Sequence, residues 1–86
     1  MIEKGDIVKI KLRFGGYAIG VLESFDNHTV RFSTYLYEKR LFLKCGHATG
    51  YRFMPLEPID DLTFKNALLR EGYSYDVETK TIIHEL

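Results

Sequence analysis

The stretch IVKIKLRF, residues 7–14, constrains the chain more than any other. Val8, Ile10, Leu12 and Phe14 fall on one side of an extended backbone, and Lys9, Lys11 and Arg13 on the other. Successive side chains of a strand point to opposite faces, so this pattern belongs to a strand that buries one face and wets the other. Gly15-Gly16 follows at once and supplies the positive φ angles of a tight reversal. Residues 17–25 read as a second strand, apolar on both faces through Ala18 and Leu22 on one and Ile19 and Val21 on the other. Gly20 in its middle predicts a bend or a close backbone neighbour. Asp26-Asn27-His28 is a turn, because short polar side chains hydrogen-bond their own backbone there. Thr29 to Tyr35 alternates again, with Val30 and Phe32 inward and Arg31 and Ser33 outward.

Beyond that point the punctuation weakens. Leu36 to Arg40 reads as a turn without Gly or Pro, followed by a fourth strand with Leu41, Leu43 and Cys45 inward and Phe42 and Lys44 outside. Gly46 to Gly50 is a glycine-bracketed loop, and Tyr51 to Met54 a fifth strand ended by Pro55 and Pro58. Asp60 or Asp61 caps a helix that runs to Glu71 and stops at Gly72. Phe64 and Leu68 form one apolar stripe, Leu62 and Leu69 another, with Lys65 between. Tyr73-Ser74-Tyr75 and Thr81-Ile82-Ile83 flank DVETK, a hairpin around an Asp-initiated turn. The expected fold is therefore mainly β with one helix. A small SH3-like β-barrel over residues 1–54 is followed by a helix and β-hairpin over 55–86 that pack on it, all within a single domain, 1–86. At 86 residues such a domain has a radius of gyration of roughly 12 Å, too small for an interdomain cleft.

Two stretches resemble known groups. The first is PLEPIDDLTFKNALLREGYSYDVETKTIIHEL. Through Pro58, Leu68, Glu71, Gly72, Tyr73, Tyr75, Asp76, Lys80 and Ile82 it resembles a module of small proteins from gut Bacteroides-type bacteria and their phages. That resemblance implies a phage or mobile-element origin and no shared chemistry. It also brings in an anti-defence role, sequestering an anionic nucleotide signal in a basic pocket. The second is Gly20, Leu22, Phe25, Asp26 and His28, which resemble the first Sm motif in order. In that family an Asn then reads the uracil edge; the corresponding residue here is Val30, and no Arg precedes a Gly anywhere in the chain. The match covers a hairpin, and it argues for a barrel.

The formal net charge of zero hides an asymmetry. Residues 1–54 carry nine Lys or Arg against five acids, a balance of +4, and residues 55–86 carry three against seven, a balance of −4. Either the basic part meets an anionic partner or the acidic part neutralises it internally. The single cysteine, Cys45, makes no internal disulfide and points to a reducing compartment. With no apolar signal region and no apolar run of spanning length, a cytoplasmic location away from membranes is expected.

Candidate chemistry is thin except in one place. Cys45 and His47 with Asp60 or Asp61 compose a triad on paper. Two residues straddling a glycine, however, do not put a nucleophile and base in hydrogen-bond reach beside an oxyanion site. Cys45-x-His47 with His28 or His84 lacks the paired spacings of a zinc site, so no metal and no cofactor are expected. The stronger constellation is YLYEKRLFLKCGHATGYRF, where rings and cations interleave. Its binding candidates are Tyr35, Tyr37, Lys39, Arg40, Phe42, Lys44, His47, Tyr51 and Arg52, with Phe53 a further ring. Exposed rings that stack bases while cations track phosphates would bind single-stranded nucleic acid. Grooves and edge strands of small barrels accept protein segments. The expectation is a non-enzymatic adaptor with a protein partner, nucleic acid being the alternative. Strand pairing through Lys80–Leu86 across a two-fold axis would add a homodimer.

Overall fold

A computed structural model describes residues 2–12, 15–26, 29–49 and 56–84. The chain runs β1 (Ile7–Lys11), β2 (Tyr17–Phe25), β3 (Thr29–Tyr37), β4 (Arg40–Phe42), β5 (Gly46–Thr49), β6 (Glu57–Pro58), α1 (Leu62–Arg70), β7 (Tyr73–Asp76) and β8 (Thr81–His84). It is mainly β with one helix, as its alternation predicts. The larger sheet is antiparallel in the order β4-β3-β2-β1-β6, with β5 also on β3, and β7-β8 form a separate hairpin. Among the described residues no pairing closes the larger sheet into a ring; the expected fifth strand, 51–54, lies outside them, as do Arg13, Phe14, Asn27 and His28.

Two apolar clusters cover the two faces of this sheet. Val8, Ile10, Ala18, Leu22, Val30 and Phe32 form the first. Ile7, Val21 and Leu36 join Phe64, Ala67 and Leu68 of the helix in the second. Alternation along β1 therefore predicts Val8 and Ile10 correctly but not Ile7, which is buried on the opposite face beneath α1. Gly20 has the close neighbour expected of it: a Cβ there would meet the Thr34 carbonyl oxygen at 2.6 Å.

The helix starts where Asp61 Oδ1 accepts the Phe64 N–H at 2.7 Å, satisfying one of the unpaired amides of the first turn. It ends where the Glu71 and Gly72 N–H groups donate to the carbonyls of Leu68 and Leu69. Phe64, Ala67 and Leu68 are buried, whereas Leu62 and Leu69 face away from the sheet, 69% and 59% exposed. Only one of the two predicted stripes is a core stripe.

The reversal after β3 is tighter than the sequence implies. Leu36 stays in β3 opposite Leu41 and is buried, and Glu38-Lys39 alone turn the chain, at φ 50° and 65°. The fourth strand is broken, which corrects the inward placement of Leu43 and Cys45. Tyr35 pairs with Phe42 and Phe32 with Gly46, so the two β3 residues between them oppose Leu43, Lys44 and Cys45. One extra residue is a bulge, and a one-residue slip sends following side chains to the other face. Leu43 and Cys45 are accordingly exposed. Beyond them, Gly46–Thr49 is a strand rather than a loop.

The carboxy-terminal hairpin is fastened to the start of β1. Tyr75 Oη donates to the Gly5 carbonyl at 2.5 Å. Lys80 Nζ reaches Asp6 at 2.7 Å and Glu3 at 3.0 Å. Gly5, at φ 93°, lies so close that a Cβ would stand 2.6 Å from Lys80 Cβ. The hairpin turn is Asp-initiated as expected, Asp76 Oδ1 accepting the Glu78 N–H at 2.9 Å.

Candidate functional site

The β3–β4–β5 face carries the residues singled out from the sequence. Pairing in register sets Tyr35 opposite Phe42, Tyr37 opposite Arg40 and Arg31 opposite His47. The Tyr35 and Phe42 rings stack with centroids 4.8 Å apart and planes within 13°. Phe32 tilts against Tyr35 at 6.1 Å. Arg40 and Lys44 stand over the Phe42 ring at 5.4 and 5.9 Å, where the electron-rich face attracts a cation. Tyr35, Tyr37 and Phe42 are half-buried, while Lys39, Arg40, Lys44 and His47 are exposed. Leu12, Ala18, Phe32, Tyr35, Tyr37 and His47 line a hollow of about 170 Å³. Tyr51, Arg52 and Phe53 lie outside the described residues. Seven of the nine candidates are among the described residues; the register brings Tyr35, Tyr37, Arg40 and Phe42 side by side, Tyr35 and Phe42 stack with cations over Phe42, and Lys39 and Arg40 also line a cleft against α1.

Among the described residues, the ion pairs do not neutralise the basic part internally. Lys4 meets Glu23 at 3.4 Å, Lys65 meets Asp60, and Lys80 meets Glu3 and Asp6. Among the described residues the ion pairs that join residues 1–54 to 55–86 are those of Lys80, a carboxy-terminal cation on amino-terminal acids. Arg31, Lys39, Arg40 and Lys44 have no carboxylate within ion-pair distance among the described residues. The helix instead adds a cation: Arg70 shares a cleft with Lys39 and Arg40. Sequence reasoning missed Arg70 because it sits in the acidic third.

Shifted titrations belong to the hairpin clamp. Burial pushes the Asp6 carboxyl up, but the Lys80 hydrogen bond, the Glu3 N–H and the Lys80 charge outweigh it and hold Asp6 below the usual carboxylate range. Hydrogen bonds to Asp6 and Glu3 raise Lys80. Burial, with the Asp6 charge behind it, raises Tyr75. Asp76 is lowered by the Glu78 and Thr79 amides that it accepts. Asp6, Lys80 and Tyr75 hold the hairpin to the amino-terminal turn, and Asp76 fixes the hairpin's own turn, structural uses of charge.

The paper triad is not assembled. Asp61 caps the helix, Asp60 pairs with Lys65, and Cys45 is exposed at the bulge. Among the described residues no three His, Cys, Asp or Glu side chains gather into a metal-binding group. No described helix is long and apolar enough to cross a membrane. No family model matches the chain, and neither a curated protein nor a solved structure does.

Proposed function

We propose that this chain is a non-enzymatic binding module whose β3–β5 face takes an acidic protein segment. One observation carries the reading: Arg31, Lys39, Arg40 and Lys44 surround this face without a carboxylate partner among the described residues. β4 and β5 are paired to β3 and, among the described residues, to nothing on their other side. An open edge offers backbone donors and acceptors to an added strand, and flanking cations select one rich in Asp and Glu. The Phe42 ring beneath Arg40 and Lys44 restrains both side chains, which lowers the entropy lost when they engage an anion.

The stacked pair also distinguishes this reading from nucleic-acid binding. Base stacking needs a free ring face, and Tyr35 and Phe42 each give one face to the other with cations over Phe42, which favours the protein reading at these two rings. The test is fluorescence anisotropy of a labelled peptide alternating Glu and Thr against labelled oligothymidylate, at salt on either side of about 0.1 M, where surface charges are screened beyond about 10 Å. Both should weaken as salt rises, but at the higher salt the peptide should bind more tightly than the oligothymidylate, and its binding should weaken on Lys44→Glu. Tighter oligothymidylate binding at the higher salt, or no peptide binding at either, contradicts the proposal.

A further inference from the structure

We infer that the cleft between the Glu38-Lys39 turn and the carboxy-terminal end of α1 binds a phosphoryl group. Lys39, Arg40 and Arg70 line it with Leu41, Ala67 and Glu71, around about 510 Å³. Its apolar lining residues are buried Ala67 and half-buried Leu41. Three cations face one carboxylate, and none of the three is in an ion pair among the described residues. A tetrahedral anion offers acceptors in several directions at once, and the Arg70 guanidinium and the Lys39 ammonium supply donors from different elements, with Arg40 at the cleft's rim. The carboxy-terminal end of a helix disfavours an anion, an opposition reduced here because the Leu68 and Leu69 carbonyls already accept the Glu71 and Gly72 amides, so the cations must outweigh what remains.

The turn supplies an independent reason. Glu38 and Lys39 both hold positive φ, a conformation in which Asn-Gly is the relaxed choice. Long charged side chains placed there cost backbone strain, and strain of this kind collects where the side chain has work to do. Lys39 projects from that turn, and Arg40, which follows it, is steadied over Phe42. The inference goes beyond the edge-binding reading: it shares Lys39 and Arg40 with it and adds the helix residue Arg70.

The test is a ¹H–¹⁵N NMR titration of the full chain with inorganic phosphate. Saturable shifts confined to residues 38–41 and 67–71 are expected. Arg70→Gln should weaken phosphate roughly tenfold, the loss of one charge-assisted contact, and Lys11→Gln, on β1 away from the cleft, should leave it unchanged. Shifts that never saturate and spread to Lys9 and Lys11, or an Arg70→Gln protein that binds phosphate as well as the parent, overturn the inference. Arg70 is exposed, so the variant should keep the parent circular dichroism. A Glu/Thr peptide bearing one phosphoserine then identifies the source. A gain over its serine twin that Arg70→Gln abolishes means that a partner segment carries the group, whereas phosphate binding without that gain means a free phosphate compound. Peptide binding with no phosphate binding sinks the cleft alone, and the converse sinks the edge reading alone.

Discussion

Gly5→Ala tests how the hairpin is held, and the structure supplies its own control. Gly5 and Gly15 both adopt positive φ, 93° and 101°, so alanine strains the backbone similarly at each. That strain is worth about 1–2 kcal/mol. The surroundings differ: nothing lies within 4 Å of a Cβ built on Gly15, whereas one on Gly5 would stand 2.6 Å from Lys80 Cβ and 2.7 Å from the Lys80 carbonyl oxygen. Neither Lys80 atom is the free end of a side chain, so the hairpin must shift or give up its bonds to Asp6 and Gly5. Overpacking of this kind adds about 1–3 kcal/mol. Gly15→Ala should therefore cost about 1–2 kcal/mol and Gly5→Ala about 2–5 kcal/mol. An unfolding entropy of about 2.1 cal/mol/K per residue makes each kcal/mol worth about 5–6 °C in a chain of this size. Thermal melts followed by circular dichroism, with urea unfolding at 25 °C as a second readout, measure both variants. Equal losses, within about 0.5 kcal/mol, would refute the close docking of the hairpin on the amino-terminal turn.

Phe64→Ala removes the largest fully buried side chain among the described residues and should cost about 3–5 kcal/mol in urea unfolding. Asp6 is depressed in the folded chain, so its contribution is complete at neutral pH and is lost as pH falls through the folded value; urea midpoints should drop in acid less steeply for Asp6→Asn than for the parent. Lys80 is raised, and its contribution should disappear as pH climbs through its elevated folded value, which alkaline melts of the parent and Lys80→Met would show. Replacing Glu38-Lys39 by Asn-Gly should relax the turn and stabilise the chain by about 1 kcal/mol or more, read as a higher melting midpoint, while weakening phosphate in the titration above.

What the sequence revealed follows from how local each signal was. A period-two run ending in Gly15-Gly16 marked β1, the polar run Asp26-Asn27-His28 marked the break between β2 and β3, and Asp61 with Gly72 bracketed α1, because those signals lie within a few residues of their effect. Ile7 was missed because alternation assumes one buried face, and the helix that covers the other arrives more than fifty residues later. Leu43 and Cys45 were misplaced because a bulge leaves no mark in hydropathy: the alternation 41, 43, 45 continues in the sequence while the register slips beneath it. At the candidate site, the basic and aromatic pattern is visible in the sequence, but which rings pack on each other is decided by pairing across strands. Tyr35 and Phe42 are seven residues apart and meet only because the turn between them is two residues long. Arg70 was out of reach for the same reason, its neighbours Lys39 and Arg40 being supplied by another element.

The most direct test of the binding account is to locate the contact. Assigned amide resonances of the ¹⁵N-labelled chain would be followed as unlabelled Glu/Thr peptide is added, with parent and Lys39→Glu/Lys44→Glu proteins side by side. The account predicts shifts concentrated in residues 31 and 37–49, saturating in the parent and absent from the double variant. Shifts centred instead on β7 and β8, or unchanged by reversal of the two charges, would contradict it.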